Sequence, residues 1–67
     1  MTYSVTNMNR ILDRAFKTHG SWEEVAKASD LSTMTLSSLR DGNLPSMLTF
    51  EKILGVTGKK PNAFFEA

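Results

Sequence analysis

Several features that are common in folded proteins are missing from this 67-residue sequence. It contains no cysteine, so neither a disulfide nor a thiolate-bound metal can hold the fold together. No stretch approaches the roughly 18 apolar residues of a membrane-spanning helix, and no charged-then-apolar leader opens the chain. The net charge is only +1, whereas nucleic-acid-binding domains are typically more basic, unless their charge is concentrated on one face. We therefore expect one cytoplasmic domain without a membrane partner.

Motifs of catalysis are also missing. The sequence contains no GxSxG, HExxH, P-loop or GxGxxG motif. Glu23 and Glu24 are adjacent, so on a helix they project about 100° apart and do not face each other. His19, the single histidine, is interpreted as a surface or capping residue. We expect no enzymatic activity, no metal, no cofactor and no small-molecule substrate.

The N-terminal third of the chain predicts an arm followed by a helix. Residues 1–6 are expected to form an arm that is disordered or pairs as a strand across a dimer, and 7–67 to form the single domain. Asn7 is the predicted N-cap of a helix over about 8–18, and Gly20 ends it. Apolar residues recur there at helical spacing, which predicts one buried stripe: Met8, Ile11, Leu12, Ala15 and Phe16.

The segment from Ser21 to Pro45 predicts two short helices joined by a tight turn. Ser21 and Glu24 have the spacing of a capping box, which begins a helix over about 22–29. Ser32 begins the second helix, over about 32–41, with Leu36 and Leu39 as its inner seam. Gly42 ends that helix and Pro45 prevents its continuation.

The outer face of this second helix is unusual because it carries only short or uncharged side chains: Thr33, Met34, Ser37 and Ser38. A solvated face would favour Lys, Glu and Gln, which are better helix formers. Hydroxyls and a thioether suit a face pressed into a DNA groove, where they reach base edges and thymine methyl groups. The alternative interpretation is a polar helix face without a partner.

The same segment resembles the helix-turn-helix of the Cro/CI-type repressors, also called the xenobiotic-response-element-like family. That pattern has an apolar residue and Ala on one helix, a turn, a Ser or Thr opening the next helix, two aliphatics three apart, then Gly and Pro. The matching positions are Val25, Ala26, residues 30–32, Leu36, Leu39, Gly42 and Pro45. The match covers about 25 residues, with looser similarity downstream at Phe50, Ile53, Leu54 and Val56.

The resemblance implies an all-α fold, a compact bundle of four to five short helices like the DNA-binding domain of lambda repressor. It also implies a transcriptional regulator of phage or prophage origin, acting in a bacterial cytoplasm as a homodimer on a pseudo-palindromic double-stranded operator. In such a protein Thr33, Met34, Ser37 and Ser38 contact bases. The expected phosphate contacts are Trp22, Lys27, Ser32, Arg40 and Asn43.

The chain departs from the family pattern at several positions. Asp30 stands at the turn position usually held by Gly, and Trp22 stands where Gln is common. Arg40 replaces an acidic residue that usually pairs with a basic residue of the first helix, so a charge-swapped pair with Asp13 is one alternative. The helix after Pro45 is also expected to be about one turn short.

The C-terminal third predicts a fourth helix and a last helical turn. Ser46 is the expected cap of a helix over about 47–54, with Met47, Phe50, Ile53 and Leu54 inward and Gly55 or Gly58 as its end. Pro61 begins the last turn, which contains Phe64 and Phe65. Two adjacent Phe cannot both enter one small core, so one is expected to be exposed as a dimer contact, or simply to belong to a frayed end.

Two other functions compete with the DNA-binding interpretation. A protein-interaction module on the same fold, such as an antitoxin or an anti-repressor, is favoured by the low net charge and by Phe64 and Phe65. A purely structural domain of a longer protein is the other alternative. A steep salt dependence of DNA binding separates the first interpretation from both.

Overall fold

Four α-helices and one short 3₁₀ helix make up most of the part of the chain that the structure, a computed structural model, describes, which is residues 1–66. Two-residue strands stand at either end. The elements in order are β1 (Thr2–Tyr3), α1 (Val5–His19), α2 (Trp22–Ser29), α3 (Thr33–Arg40), α4 (Met47–Thr57), a 3₁₀ helix (Pro61–Phe64) and β2 (Phe65–Glu66). The expectation of a mostly helical, compact chain is confirmed.

Helix α1 begins three residues earlier than predicted, so Asn7 as its N-cap is wrong. Ser4 is extended and its Oγ accepts a hydrogen bond from the backbone N–H of Asn7 at 3.1 Å. Ser and Asn are both favourable N-cap residues, so residue type does not distinguish Ser4 from Asn7. The predicted C-terminus is close to correct: Gly20 has φ +91° and donates its N–H to the carbonyl of Phe16 at 2.7 Å.

Helix α2 has the predicted bounds, and α3 is one residue shorter at each end than the predicted 32–41. Each helix begins directly after the expected serine. Ser21 Oγ accepts from the backbone N–H of Glu24 at 3.2 Å, and Ser32 Oγ accepts from that of Thr35 at 3.1 Å. Asp30 lies between them with φ +58°, a left-handed conformation that Asp adopts more readily than most residues. The N–H of Leu31 then donates to the carbonyl of Ala26 at 2.9 Å, which closes the end of α2.

Helix α4 begins where predicted, since Ser46 Oγ accepts from the backbone N–H of Thr49. It continues through Gly55 and ends at Gly58, whose φ is +69°, so the predicted end near residue 54 is too early. Met47 is 74% exposed, which makes its predicted inward position wrong. Met47 occupies the first position of α4, whereas the buried residue of that helix, Ile53, lies further along it.

Residues 2–3 and 65–66 pair as a small antiparallel sheet. The prediction of an N-terminal arm that is disordered or pairs across a dimer is therefore wrong. Thr2 lies opposite Glu66 and Tyr3 opposite Phe65. The N–H of Ser4 also donates to the carbonyl of Phe64 at 2.8 Å. Phe65 therefore belongs to a strand and not to the last helical turn.

Ten apolar side chains form the core, drawn from every α-helix and from the 3₁₀ helix: Met8, Ile11, Leu12, Ala15, Val25, Ala26, Leu36, Leu39, Ile53 and Phe64. Both residues of the α3 seam belong to it, and so do four of the five residues of the predicted α1 stripe. The fifth, Phe16, is only half-buried and packs against Trp22. Phe64 is fully buried and meets Phe50 edge to face at a centroid distance of 5.2 Å. Each large side chain contributes about 1.5–3 kcal/mol by its burial. Within residues 1–66, no helix is both long and apolar enough to cross a membrane.

Candidate nucleic-acid interface

Helix α3 has one buried and one exposed face. Leu36 and Leu39 are almost completely buried, and they anchor the helix to the core. On the other side the exposed side chains are Thr33, Met34, Ser37 and Arg40, of which Met34 is 80% exposed. The predicted base-contacting residues other than Ser38 thus share one accessible face, and none of them is charged.

Ser38 is only half-buried because it lies at the border between the two faces of α3. Its Oγ accepts a hydrogen bond from Asn43 Nδ2 at 2.9 Å, and its carbonyl accepts from the same amide group at 3.2 Å. Asn43, predicted to contact a phosphate, therefore uses its side-chain amide to close the C-terminal end of α3. Ser38 keeps its hydroxyl proton as a donor.

Trp22 at the start of α2 contacts Arg40 at the end of α3. The Arg40 guanidinium carbon lies 4.2 Å from the centroid of the Trp22 ring, in a cation–π contact. The indole also packs against Phe16 at a centroid distance of 4.8 Å. The alternative pairing of Arg40 with Asp13 is not found among the described ion pairs, and the guanidinium lies instead over the indole ring.

A shallow depression of about 540 Å³ joins these groups into one surface. It lies between the N-terminal turn of α2 and the outer face of α3, and we call it the α2–α3 surface. Its lining residues are Trp22, Glu23, Thr33, Met34, Ser37 and Arg40. Five of these are predicted site residues, and Glu23 was not predicted. Helix periodicity can assign residues to a face, but it does not show which neighbouring helix borders that face.

Two other predicted phosphate contacts lie outside the depression. The hydroxyl of Ser32 caps α3 and lies 2.9 Å from Thr35 Oγ1, so its hydrogen-bonding capacity is largely used within the helix start. Lys27 is exposed in the last turn of α2, where a positive charge also stabilises the helix end.

A further residue that supports the site was not predicted. Asn9 of α1 donates from Nδ2 to the carbonyl of Arg40 at 3.3 Å, which ties the end of α3 to the first helix. The two residues are 31 positions apart, and no local pattern of the sequence indicates this contact.

The local charge of the α2–α3 segment is acidic. Between residues 22 and 43 the basic side chains are Lys27 and Arg40, and the acidic ones are Glu23, Glu24, Asp30 and Asp41. Asp30 forms a salt bridge with Lys52 of α4 at 3.3 Å. Since exposed pairs contribute only about 0–1 kcal/mol, this one adds little to stability, but it partly neutralises the acidic segment.

The basic residues gather instead on α1 and just after α4: Arg10, Arg14, Lys17, Lys59 and Lys60. Arg10, Arg14 and Lys59 line one depression of about 240 Å³ together with Ile11 and Ala63. This depression holds three of the eight basic side chains, and its lining shares no residue with the α2–α3 surface.

The predicted dimer contacts differ in their accessibility. Phe64 is fully buried, so its side chain is not available to a second copy. Phe65 is half-buried and meets the rings of Tyr3 and Phe50 edge to face, at centroid distances of 6.0 and 6.2 Å. Only Phe65 of the pair therefore reaches the surface.

No protein-family model matches the chain, and comparison with curated proteins and with solved structures gives no match either. A functional assignment therefore has to be argued from the surface just described.

Proposed function

We propose that this chain is a sequence-specific double-stranded DNA-binding regulator of transcription. In this proposal α2 and α3 form a helix-turn-helix in a lambda-repressor-like fold, and α3 lies in the major groove with its N-terminal half nearest the bases. The observation that carries the proposal is the exposed outer face of α3, where the uncharged Thr33, Met34 and Ser37 lie beside Arg40 and the buried Leu36 and Leu39 anchor the helix behind them.

The chemistry of that face fits base edges. The hydroxyls of Thr33 and Ser37 are exposed, and a hydroxyl can donate to or accept from any base. Met34 projects further than its neighbours and offers an apolar surface to thymine methyl groups. Without Arg, Lys, Asn or Gln among these residues, the strongest base readers are missing, so DNA shape contributes the remaining specificity.

Arg40 is the main phosphate contact in this proposal, because the Trp22 ring restricts where its guanidinium can lie. A preorganised guanidinium loses less entropy on binding a phosphate than a free side chain does. The N-terminal turn of α2 adds backbone N–H groups and a positive dipole end. Lys27 supplies a second charge at the other end of α2.

The charge distribution sets the expected salt dependence. If Arg40 of the α2–α3 surface and Lys27 are the cations that meet the backbone, two phosphates per copy are neutralised, and log K falls with a slope of about −2 against log salt. A homodimer on a pseudo-palindromic operator doubles that slope. We place this activity in the bacterial cytoplasm, with no metal or cofactor required.

Selection of binding sites from a random duplex pool tests the proposal, followed by fluorescence anisotropy on the selected site at several salt concentrations. We expect a two-fold symmetric site with half-sites about 34 Å apart. Met34→Glu should abolish binding, because it places a carboxylate on the base-reading face. Thr6→Glu, which adds the same charge to an exposed position of α1, should not. Sequence-independent binding by the parent chain would refute the proposal.

A second function is a protein-interaction module on this fold, such as an antitoxin or an anti-repressor. The excess of acidic over basic residues between positions 22 and 43 favours it, because such a segment repels a phosphate backbone. In that case Met34→Glu has no DNA affinity to remove, and the selection yields no enriched sequence.

A further inference from the structure

Three basic side chains from distant parts of the chain meet beside α1. Arg10 and Arg14 are exposed and lie four positions apart, on the same side of that helix. Lys59 follows the end of α4. All three line the depression of about 240 Å³ whose remaining lining, Ile11 and Ala63, is apolar. We call Arg10, Arg14 and Lys59 the basic cluster.

Lys59 differs from Lys52, the other half-buried lysine. The amine of Lys52 has two acceptors on Asp30, the carboxylate at 3.3 Å and the backbone carbonyl at 3.1 Å. Within residues 1–66, the amine of Lys59 has neither an ion pair nor a hydrogen bond. A partly buried charge without a partner loses hydration and gains nothing in return. The position of Lys59 therefore favours an anion that comes from outside the chain.

The two arginines are not balanced by acidic side chains either. In the described part of the chain the one ion pair is that of Lys52 with Asp30. Asp13 lies between the arginines in sequence, but it does not line the depression. Like charges four positions apart destabilise a helix, and a cleft lined by one sign of charge attracts ions of the opposite sign. A bound anion would remove the repulsion within the basic cluster.

We propose that the basic cluster binds the phosphate group of a small phosphate monoester. Such a group carries close to two negative charges at neutral pH. Arginine binds phosphate oxygens through two parallel N–H groups, and lysine adds a compact point charge. The site shares no lining residue with the α2–α3 surface, and it does not rest on the proposed DNA-binding function.

A neighbouring depression provides room for the organic part of this ligand. It measures about 180 Å³ and shares Ile11, Arg14 and Lys59 with the first one. The rest of its lining carries no acidic residue: Ala15, Thr18, His19, Val56 and Thr57. Either depression alone is smaller than the roughly 300–1,000 Å³ of ordinary ligand pockets, and the two together reach the lower part of that range. A phosphate with an uncharged body attached fits this shape.

A duplex backbone fits the basic cluster less well than a monoester does. Each backbone phosphate carries a single charge, whereas three cations around one small depression match a dianion. Lys59 is also half-buried, so a compact ligand that enters the depression reaches its amine more easily. A wide duplex would first meet the exposed Lys17 and Lys60 nearby.

Hydrogen bonds fix the turn that carries Lys59. The N–H of Gly58 donates to the carbonyl of Leu54 at 2.9 Å. Thr57 Oγ1 donates to the carbonyl of Ile53 at 2.7 Å and accepts from the N–H of Lys59 at 3.3 Å. The backbone of Lys59 is thus held in place before any ligand arrives, which lowers the entropy that binding costs.

Two pairs of basic residues allow a matched test. Lys59→Gln and Lys60→Gln each remove one charge from the same turn, but Lys60 lines neither depression. Arg14→Gln and Lys17→Gln are the corresponding pair on α1. Each variant lowers the net charge of +1 by one unit, so general attraction of anions falls equally in all four. Circular dichroism and thermal melting check that each variant folds.

An NMR titration of the ¹⁵N-labelled chain with phenyl phosphate, at constant ionic strength and a pH above the phosphate pKa of about 6, is the first measurement. The backbone amide signals of Arg14, Thr18 and Lys59 should shift saturably, and those of Met34 and Ser37 should not. Phenyl sulfate, which has the same body and a single charge, should bind several-fold more weakly. Absence of saturable shifts, or equal affinity for the sulfate, overturns the inference.

The variants give the second result of the same titration. Lys59→Gln and Arg14→Gln should each weaken phenyl phosphate binding about tenfold, as expected for the loss of one charge-assisted hydrogen bond. Lys60→Gln and Lys17→Gln should change the affinity by no more than about twofold, since they remove only a distant, screened charge. Equal losses within either pair would mean diffuse attraction of anions and overturn the inference.

Fluorescence anisotropy with duplex DNA separates this site from the proposed function. Lys59→Gln should keep the DNA affinity and salt slope of the parent chain, and Met34→Glu should keep its affinity for phenyl phosphate. If Lys59→Gln lowers the salt slope and phenyl phosphate does not bind, the basic cluster is a backbone contact and the inference is wrong. If no duplex binds while phenyl phosphate titrates as expected, the proposed function fails and the monoester site stands.

Discussion

The two faces of α3 differ in both chemistry and surroundings, although they belong to the same eight residues. Leu36 and Leu39 are 0% and 2% exposed and contact the core formed by α1, α2 and α4. Thr33, Met34 and Ser37 contribute nothing to that core and remain accessible. Under the proposed function, stability and recognition would therefore belong to different side chains of one helix.

This separation has a physical basis. Ser and Thr are poor helix formers, so the outer face weakens α3 slightly while the buried leucines hold it in place. A helix of eight residues is not stable alone in water. Its conformation depends on the core, and its outer face is free to carry residues chosen for another purpose.

The largest expected effect comes from the inner face. Leu36→Ala should destabilise the chain by about 2–5 kcal/mol, because it removes buried methyl groups and leaves a cavity. In a domain of this size that loss is comparable with the whole free energy of unfolding. Urea denaturation followed by circular dichroism measures it. The matched control is Ser37→Ala, which should leave the midpoint unchanged or raise it slightly; a stable Leu36→Ala variant would contradict the assignment of the seam.

The next largest expected effect is on DNA binding and comes from Arg40, which lies over Trp22 at the edge of the outer face of α3. Arg40→Ala should weaken DNA binding at every sequence and reduce the salt slope by about 1 per copy. Arg40→Lys should keep that slope but still bind several-fold more weakly, because an ammonium group lacks the planar stacking of a guanidinium. Anisotropy titrations at four salt concentrations separate the two variants. Equal affinities for Arg40→Lys and the parent chain would show that the indole contact has no role in positioning.

Among the described side chains, Tyr3 places a polar group in the apolar interior. Its hydroxyl is buried and has no hydrogen-bond partner, so Tyr3→Phe should stabilise the fold by up to about 1 kcal/mol. Burial also raises the pKa of Tyr3 above its usual 10.0. The folded chain therefore favours the neutral form of Tyr3. The stabilisation that depends on this neutral form is complete below pH 10 and is lost as the pH rises through the higher folded-state pKa.

Thermal melting between pH 8 and about pH 12 tests this prediction, since the range brackets the reference pKa of tyrosine. The parent chain should lose stability at the alkaline end more steeply than Tyr3→Phe does. Parallel curves for the two proteins would show that ionisation of Tyr3 is not linked to folding.

The smallest expected effect on stability is at Ser38, which lies between the two faces. Ser38→Ala removes the acceptor of one Asn43 hydrogen bond, while the backbone carbonyl still accepts from the same amide. The free energy of unfolding should thus fall by no more than about 1 kcal/mol, and the sequence preference on DNA should change. If the preference is identical in a repeated site selection, Ser38 is a capping residue only.

Local signals predicted most of the helix bounds correctly. Ser21, Ser32 and Ser46 each cap the helix that follows, as expected. The predicted start of α1 was wrong, because Asn7 and Ser4 are both capping types only three residues apart and Ser4 is the cap. The end of α4 was ambiguous for a similar reason, since Gly55 and Gly58 both can end a helix and only Gly58 has a left-handed backbone.

Contacts between distant residues could not be predicted in the same way. The pairing of β1 with β2 joins residues more than sixty positions apart, and a two-residue strand has no periodicity of its own. The same limitation applies to the stacking of Arg40 on Trp22, for which an ion pair with Asp13 was the alternative. In each case several partners satisfy the local chemistry, and only the arrangement of the helices selects one.

The sequence by itself determined the number, order and approximate bounds of the helices, because capping residues, glycines and apolar spacing act within a few positions of one another. It also determined that Thr33, Met34 and Ser37 on the outer face of α3 carry no charge. Only the tertiary structure decided that Phe64 is buried while Leu44 and Met47 are exposed. It also decided that Arg10, Arg14 and Lys59 line one depression that is separate from the α2–α3 surface. These features depend on how the helices pack, since burial is a property of the whole core and not of any single segment.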